Sequence, residues 1–220
     1  MPMNDQTKNR CRLVLVAPAD VTASAFLSLL KAALGGGDVA SVILPNGKSG
    51  EAAFQALAEA VVPVVQAAGA AAIVAEDTRI AGRVGADGVH LESGRAELDD
   101  FIERNEGRLI VGTGGVRTRD EALELGEARP DYLFFGRFGA DSKPEPHNRN
   151  LTLGRWWAEM IQIPCIVQGG ASLESVSAVA ETGADFVALS AAVFGEGVDP
   201  AGAVTEANRL LDLSPVRFEG

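Results

Sequence analysis

The sequence contains little cysteine, few aromatic residues and no dense run of basic residues. Two cysteines in 220 residues, far apart, are too few for a disulfide framework or a cysteine-based zinc site. Aromatic side chains make up 5% of the chain, which argues against an extended surface for stacking nucleic-acid bases. The net charge of -11, without a basic patch, argues against nucleic acids and anionic membranes as partners.

Long hydrophobic runs are also missing. No apolar stretch is long enough to cross a bilayer, and the polar opening MPMNDQTKNR does not resemble a secretory signal. We therefore expect a cytoplasmic protein, with a flexible polar segment at residues 1–11 and a C-terminal tail at residues 215–220. The overall acidity does not exclude a small phosphorylated ligand, because a few backbone amides and one or two cations suffice to bind it.

Short apolar runs rich in Val, Ile and Leu alternate along the chain with Ala-rich segments of helical period. Continuous apolar strands are buried on both faces, which is typical of a parallel sheet covered by helices. Residues 12–214 are therefore predicted to form one α/β domain, a TIM (β/α)8 barrel. The predicted strands are Arg12–Ala17, Ala40–Leu44, Ala71–Ala75, Gly88–Leu91, Leu109–Gly112, Tyr132–Gly136, Cys165–Val167 and Phe186–Leu189. The predicted helices include Ala25–Leu34, Glu51–Ala68, Arg79–Val84, Arg119–Glu127, Leu173–Glu181 and Ala201–Leu211.

A repeated segment supports closure of these units into a barrel. GADGVHL at Gly85–Leu91 is echoed by GADFVAL at Gly183–Leu189, and ARPDY at Ala128–Tyr132 is a looser copy. Each copy joins a predicted helix to a predicted strand, where an acidic side chain can fix the short turn. Such turns lie on the face opposite the chemistry of a barrel. We therefore predict structural roles for the acidic residue of each copy, Asp87, Asp131 and Asp185.

The loops after the last two predicted strands have the composition of an anion site. Gly169 and Gly170 follow the seventh strand, and paired glycines let backbone amides come close to an anion. Ser190 follows the eighth strand and is expected to open a short helix whose positive end points to the same place. Loops in these two positions commonly bind phosphate in TIM barrels. The alternative is that the two glycines only form a tight turn.

Several of these segments occur in the order and at roughly the spacing of one known family. The chain resembles the thiamine-phosphate synthase family, which includes the related thiazole tautomerases. The resemblance implies a transferase of thiamine biosynthesis that joins a hydroxymethylpyrimidine diphosphate to a thiazole phosphate and releases pyrophosphate, with Mg²⁺ as cofactor. The segments that carry it are Gly85–Leu91, Asp131-Tyr132 through Gly136, Lys143, Ile163-Pro164, Gly169-Gly170 and Gly183–Ala191.

The thiazole-phosphate half of the family's site transfers well to this sequence. Lys143 matches a lysine in the loop after the sixth strand, and the resemblance implies that it neutralises the diphosphate as the leaving group gains charge. An ordinary solvated loop lysine is the alternative. The residues implied to bind phosphate are Ser142, Gly169, Gly170, Leu189 and Ser190.

The pyrimidine-diphosphate half departs from the family. The family's Gln-Leu-Arg-Glu-Lys run after the second strand is replaced by Ile43–Lys48, so only Lys48 is left as a basic substrate-binding candidate. Thr113 is the nearest hydroxyl where the family has Ser-Thr-His. Carboxylates are the ligands that Mg²⁺ prefers. The carboxylates near the positions of the family's metal ligands are those of Glu76, Asp77 and Glu92. Glu76 is also the candidate catalytic acid or base.

The two histidines are candidates for proton transfer. His90 lies on the fourth predicted strand and is expected to face the barrel interior or mouth, as a substrate contact or as a packed, hydrogen-bonded side chain. His147 lies in the polar, proline-interrupted segment Phe138–Asn150, which has the composition of a mobile lid or of a solvated loop. Trp156 and Trp157 are predicted to open the following helix and to serve in packing.

Three functions stay open on these observations. The first is a divergent thiamine-phosphate synthase. The second is a non-catalytic binding or regulatory protein that keeps the pocket for thiazole phosphate or thiamine phosphate. The third is another phosphate-binding barrel enzyme, an isomerase or epimerase, in which Glu76, Asp77 or His90 carries the proton. In each case the partner is a small phosphorylated heterocycle or sugar, and a homo-oligomer is possible.

Overall fold

The computed structural model describes residues 10–214 and consists of a closed barrel of eight parallel strands, hydrogen-bonded in chain order from β1 to β8 and back to β1. This confirms the predicted TIM barrel. The strands are β1 Arg12–Val16, β2 Ser41–Leu44, β3 Ala71–Ala75, β4 Gly88–Leu91, β5 Ile110–Thr113, β6 Tyr132–Phe135, β7 Cys165–Gln168 and β8 Phe186–Leu189.

Helices follow every strand on the outside of the barrel. They are α1 Ala23–Gly35, α2 Glu51–Ala67, α3 Thr78–Val84, α4 Arg95–Asn105, α5 Arg119–Gly126, α6 Asn148–Met160, α7 Ser175–Ala180, α8 Ala191–Phe194 and α9 Pro200–Leu213. The short α8 begins directly after Ser190, as the sequence predicted. Among residues 10–214, no helix has both the length and the apolar character to cross a membrane.

Alternate side chains of each strand enter two separate cores, because successive side chains of a strand point to opposite faces. The larger core lies between the strands and the helices. The smaller core fills the inside of the barrel, and it includes Val14, Ile43, Ile73, Tyr132 and Phe134. The barrel interior is thus packed rather than hollow, so a ligand can enter only at an end.

The three acidic residues of the repeated segment fix the ends of neighbouring strands. A side-chain oxygen of Asp87 accepts the amide hydrogen of Ala72 at 2.8 Å, which is near the start of β3. Asp131 binds the amide of Val111 at 2.7 Å on β5, and Asp185 binds the amide of Cys165 at 2.8 Å on β7. These carboxylates lie at the amino-terminal end of the barrel, which confirms the predicted structural role.

Two helices differ from the sequence-based expectation. Helix α4 was not predicted, since its sequence RAELDDFIERN is mostly polar and buries only Leu98 and Asn105. Helix α6 already begins at Asn148, so Trp156 and Trp157 lie in its second half instead of at its start. Trp157 is fully buried and donates a hydrogen bond from its indole to the carbonyl of Ile163 at 2.8 Å. The expected packing role of this side chain is confirmed.

Residues 1–9 and 215–220 lie outside the described residues, so the two tails stay predictions. The structure does describe Arg10 and Cys11 of the N-terminal segment. Cys11 is buried in the outer core, and the guanidinium of Arg10 lies 3.0 Å from a carboxylate oxygen of Asp212 in α9. Cys165 is also fully buried within β7, which confirms a packing role for it.

Candidate active site

A cavity of about 770 Å³ opens at the carboxyl end of the barrel strands. In TIM barrels this is the end at which active sites lie. The wall comes from the residues that follow β4, β5, β6 and β7, with the largest share from the segment between β6 and α6. The lining includes Glu92, Gly115, Arg117, Gly136, Arg137, Ser142, Lys143, His147, Arg149, Gln168 and Gly169.

The structure brings four of the predicted site residues to this cavity. They are Glu92, Ser142, Lys143 and Gly169. Ser142 and Lys143 are exposed, whereas Gly169 is buried and bonded through its amide to the carbonyl of Ala188 at 2.9 Å. The loop lysine and one glycine of the pair therefore face the same space.

The other glycine, Gly170, lies beneath the β6–α6 segment. A methyl group placed on Gly170 would approach the carbonyl oxygen of Pro144 to 2.1 Å, so only a glycine fits there. The amide of Ala171 donates to the carbonyl of Lys143 at 2.7 Å, and the amide of Ser172 to the carbonyl of Pro144 at 3.2 Å. The chain's own backbone thus occupies the amides of Ala171 and Ser172, which follow the glycine pair.

The start of α8 is also occupied by the same segment. The buried carboxylate of Asp141 accepts the amide hydrogen of Ala191 at 2.7 Å. Leu189 is packed into the outer core, and Ser190 is buried with its side chain making no capping hydrogen bond. A carboxylate at a helix start takes the position that an anionic ligand would favour.

Two of the predicted metal ligands, Glu76 and Glu92, lie close to each other. The carboxylate of Glu76 accepts the backbone amide of Glu92 at 2.7 Å, and the amide of Glu76 donates to the carbonyl of His90 at 2.9 Å. Burial, followed by the nearby negative charge of Glu76, raises the pKa of Glu92, and the guanidinium of Arg137 acts in the opposite direction. Glu76 also has a left-handed backbone with φ of 64°, which costs a non-glycine residue free energy.

Asp77 is engaged elsewhere. Its carboxylate caps α3 by accepting the amides of Arg79 at 3.1 Å and Ile80 at 2.9 Å. Over residues 10–214 no group of three or more His, Cys, Asp or Glu side chains is arranged to hold a metal ion. The structure therefore brings two of the three predicted ligands together and not the third.

None of the three predicted substrate contacts, Lys48, Thr113 and His90, lines the cavity. Thr113 is fully buried, and its hydroxyl donates to the carbonyl of Leu91 at 2.7 Å. Lys48 is exposed, and its loop is fixed by Asp20, whose carboxylate accepts the amides of Lys48 and Ser49. Thr113 and Lys48 both take part in hydrogen bonds with residues more than 20 positions away along the chain, which the order of residues does not reveal.

His90 lies inside the barrel and is fully buried. Its Nδ1 is 3.1 Å from the hydroxyl of Tyr132, and its ring lies against Tyr132, Phe134 and Phe138. Burial lowers the pKa of His90 to about 3, so the ring is neutral at physiological pH. Its Nε2 is buried and has no hydrogen-bond partner among the described residues, and it lies near Gly114.

The sequence reasoning missed three arginines of the cavity wall. Arg117 follows β5, Arg137 comes two residues after β6, and Arg149 is in the first turn of α6. Arg137 could have been found, because charged side chains just after barrel strands are candidates for function. Arg149 was hidden by the interpretation of residues 138–150 as one loop. His147 caps α6 by accepting the amide of Arg149 at Nδ1, 3.2 Å away.

Comparison with known proteins identifies, over residues 13–193, the family that the sequence motifs resemble. A family model described as thiamine monophosphate synthase matches residues 13–193. The thiamine-phosphate synthase of Rhodospirillum centenum is 34% identical, with 91% of this chain and 98% of that protein covered. The corresponding protein of Hyphomonas neptunium is 32% identical, with 94% and 96% covered.

A solved structure has the same fold at low sequence identity. The thiamine phosphate pyrophosphorylase from Pyrococcus furiosus superposes with a TM-score of 0.75 and 22% identity, covering 94% of this chain and 98% of that one. A match of this identity is evidence for the fold, whereas the family model and the two curated relatives extend over most of the sequence itself. The chain therefore belongs to the thiamine monophosphate synthase family.

Proposed function

We propose that this protein is a thiamine-phosphate synthase, which joins a hydroxymethylpyrimidine diphosphate to a thiazole phosphate and releases pyrophosphate. The observation that carries the proposal is relatedness over nearly the full length, since a curated synthase matches over 98% of its own sequence. A cavity at the strand ends used by barrel enzymes supports it.

Lys143 is the catalytic residue of this proposal. When the bond between the pyrimidine methylene and the diphosphate breaks, the leaving pyrophosphate takes the electron pair, so a fixed cation beside its oxygens stabilises the transition state. Lys143 lines the cavity next to Ser142. Within residues 10–214 no carboxylate oxygen lies within 4.0 Å of its amino group, so the charge is available to a ligand.

Glu76 and Glu92 are the residues that would hold Mg²⁺. The carboxylate of Glu76 accepts the amide of Glu92, so the two carboxylates lie close enough to share a divalent cation. Mg²⁺ is often bound by one or two carboxylates, with water and substrate phosphates completing its shell. Asp77, as the cap of α3, is not included. The ion would supply positive charge to the diphosphate.

Ser142, Gly169, Gly170, Leu189 and Ser190 are proposed to bind the phosphate of the thiazole. Since Asp141, Lys143 and Pro144 now accept the amides of these loops, an anion can reach Gly170 only after the β6–α6 segment moves. Substrate binding is therefore expected to displace this segment.

Three further residues remain candidate substrate contacts. The buried Nε2 of His90, near Gly114, has no hydrogen-bond partner among the described residues, which supports a role as a substrate contact. None of His90, Lys48 and Thr113 lines the cavity, so their proposed roles require movement of the residues around them. The cytoplasmic location and a homo-oligomer stay predictions as well.

The proposal is tested by assaying formation of thiamine phosphate and pyrophosphate from the two substrates over a range of Mg²⁺. Lys143→Met is expected to lower kcat about 100-fold, because one electrostatic group is removed from the transition state. Lys31→Met, on the exposed surface of α1, is the matched control and keeps full activity. Absence of turnover at every Mg²⁺ concentration contradicts the proposal. Tight binding of thiazole phosphate in that case would favour the non-catalytic binding protein.

A further inference from the structure

Three of the four cations that line the cavity are arginines. Arg117, Arg137 and Arg149 come from the β5–α5 loop, the end of β6 and the first turn of α6, and all three line the same space. We call them the arginine wall. With Lys143 included, the cavity is lined by four cations and three acidic residues, which is a local departure from the net charge of -11 of the chain.

The arginine wall has no carboxylate partner in residues 10–214. No Asp or Glu oxygen lies within 4.0 Å of a guanidinium nitrogen of these residues. Elsewhere in the chain the guanidinium of Arg12 is paired with Asp38 at 2.7 Å. Three cations that share a cavity repel one another, and an anion with several oxygens removes that repulsion. Arginine is suited to such a ligand, because its planar fork binds phosphate oxygens in pairs.

The backbone on both sides of the wall is held in place. The amide of Arg137 donates to the side-chain oxygen of the buried Gln168 at 2.8 Å, and the amide of Arg117 donates to the carboxylate of Glu121 at 2.6 Å. Gly136 lies so close to Gln168 that a methyl group there would approach its Cβ to 2.6 Å. The backbone of Arg137 and Arg117 is therefore anchored, and ligand binding has to order their exposed side chains only.

The opposite side of the barrel mouth offers much less positive charge. Lys48 is the basic residue in the loop after β2, and it lies outside the cavity. Its loop is turned toward Asp20, which binds the amides of Lys48 and Ser49. Arg137, in contrast, is near enough to Glu92 for its charge to counteract the rise of the pKa of that carboxyl. The arginine wall thus adjoins the carboxylate pair proposed to hold Mg²⁺.

We infer that the arginine wall is the diphosphate subsite of this protein, on the β5–β6 side of the mouth, in place of the loop after β2. This inference rests on the proposed function for the identity of the substrate. The guanidinium groups by themselves indicate an anion with several oxygens, and the proposed function makes that anion an organic diphosphate or free pyrophosphate.

The test is calorimetric titration of the full chain with inorganic pyrophosphate, with and without Mg²⁺. Arg137→Gln, Arg117→Gln and Arg149→Gln are each expected to weaken binding about tenfold or more, as loss of a hydrogen-bonded charge does. Arg137→Lys keeps the charge without the fork and is expected to give an intermediate loss. Arg155→Gln, an exposed arginine of α6 outside the cavity, is the matched control and binds as the parent does.

Three results would overturn the inference. One is that the parent protein does not bind pyrophosphate. Another is that Lys48→Gln weakens binding while the arginine variants do not. The last is that the arginine variants lose affinity for thiazole phosphate and keep it for pyrophosphate. The assay of thiamine-phosphate formation is separate, so pyrophosphate binding without turnover leaves the subsite intact and contradicts only the proposed function.

Discussion

Acidification is expected to destabilise this protein through His90. The ring is fully buried, and burial lowers its pKa from 6.5 to about 3. Between these values the unfolded chain binds a proton at this side chain and the folded chain does not, so the free energy of unfolding falls as the pH falls. Above about pH 6.5, His90 is neutral in both states and its titration does not change the free energy of unfolding. Well below that pH, the free energy of unfolding falls by about 1.4 kcal/mol per pH unit.

The size of the effect can be calculated for a practical pH range. Between about pH 7.5 and about pH 5, titration of this one group lowers the free energy of unfolding by about 2 kcal/mol. The result hardly depends on the folded-state pKa as long as that value lies below about 4, because the folded ring is then neutral over the whole range. Tyr132 stays neutral too, since burial raises its pKa.

The assay is urea unfolding of the parent protein and of His90→Phe at several pH values. The variant keeps an aromatic ring against Phe134 and Phe138 and cannot titrate, so its unfolding free energy is expected to fall about 2 kcal/mol less over the same range. Tyr132→Phe removes the hydrogen bond to Nδ1 but keeps the histidine, and it retains the full pH dependence. Identical pH dependence of the parent and His90→Phe would refute the reasoning.

Three further predictions concern the loops and the strands. Asp141→Ala removes the acceptor of the amide at the start of α8, so urea unfolding is expected to show a loss of about 1–3 kcal/mol. The same variant is expected to bind thiazole phosphate more tightly in calorimetry, because a competing carboxylate is gone; weaker binding would contradict this. Glu76→Gly relieves a left-handed backbone worth about 1 kcal/mol while losing one hydrogen bond of similar size, so the free energy of unfolding is expected to change by less than about 1 kcal/mol. Mg²⁺-dependent turnover of Glu76→Gly is expected to fall at least about tenfold, as loss of an electrostatic group from the site does, and unchanged turnover would remove Glu76 from the proposed site. Gly112→Ala places a methyl group 1.9 Å from the ring of Tyr132, and overpacking of this kind costs about 3 kcal/mol. Gly82→Ala, with open space around it on α3, is the control for that variant and is expected to be neutral or stabilising in the same unfolding assay.

The sequence by itself determined the barrel. Short runs such as Ala71–Ala75 are apolar without alternation, and this requires burial on both faces. Eight of them separated by helical segments predict a helix-covered parallel sheet, and the repeated segments Gly85–Leu91 and Gly183–Leu189 favour its closure into a barrel. The structural roles of Asp87, Asp131 and Asp185 were also predictable, because each occurs in a repeated segment that joins a helix to a strand. Helix α4 was not, since its polar sequence buries too few side chains to show a periodic pattern.

Tertiary structure decided which residues face the cavity. The burial of Gly170 beneath Pro144, the contact of Asp141 with Ala191 and the arginine wall each join residues from different strand ends, at positions set by barrel closure and by loop hydrogen bonds. Local pattern carries no information about such pairs, because their separation along the chain is unrelated to their distance in space. The sequence thus determined where a site had to lie, at the carboxyl ends of the strands, and only the closed barrel decided which charges meet there.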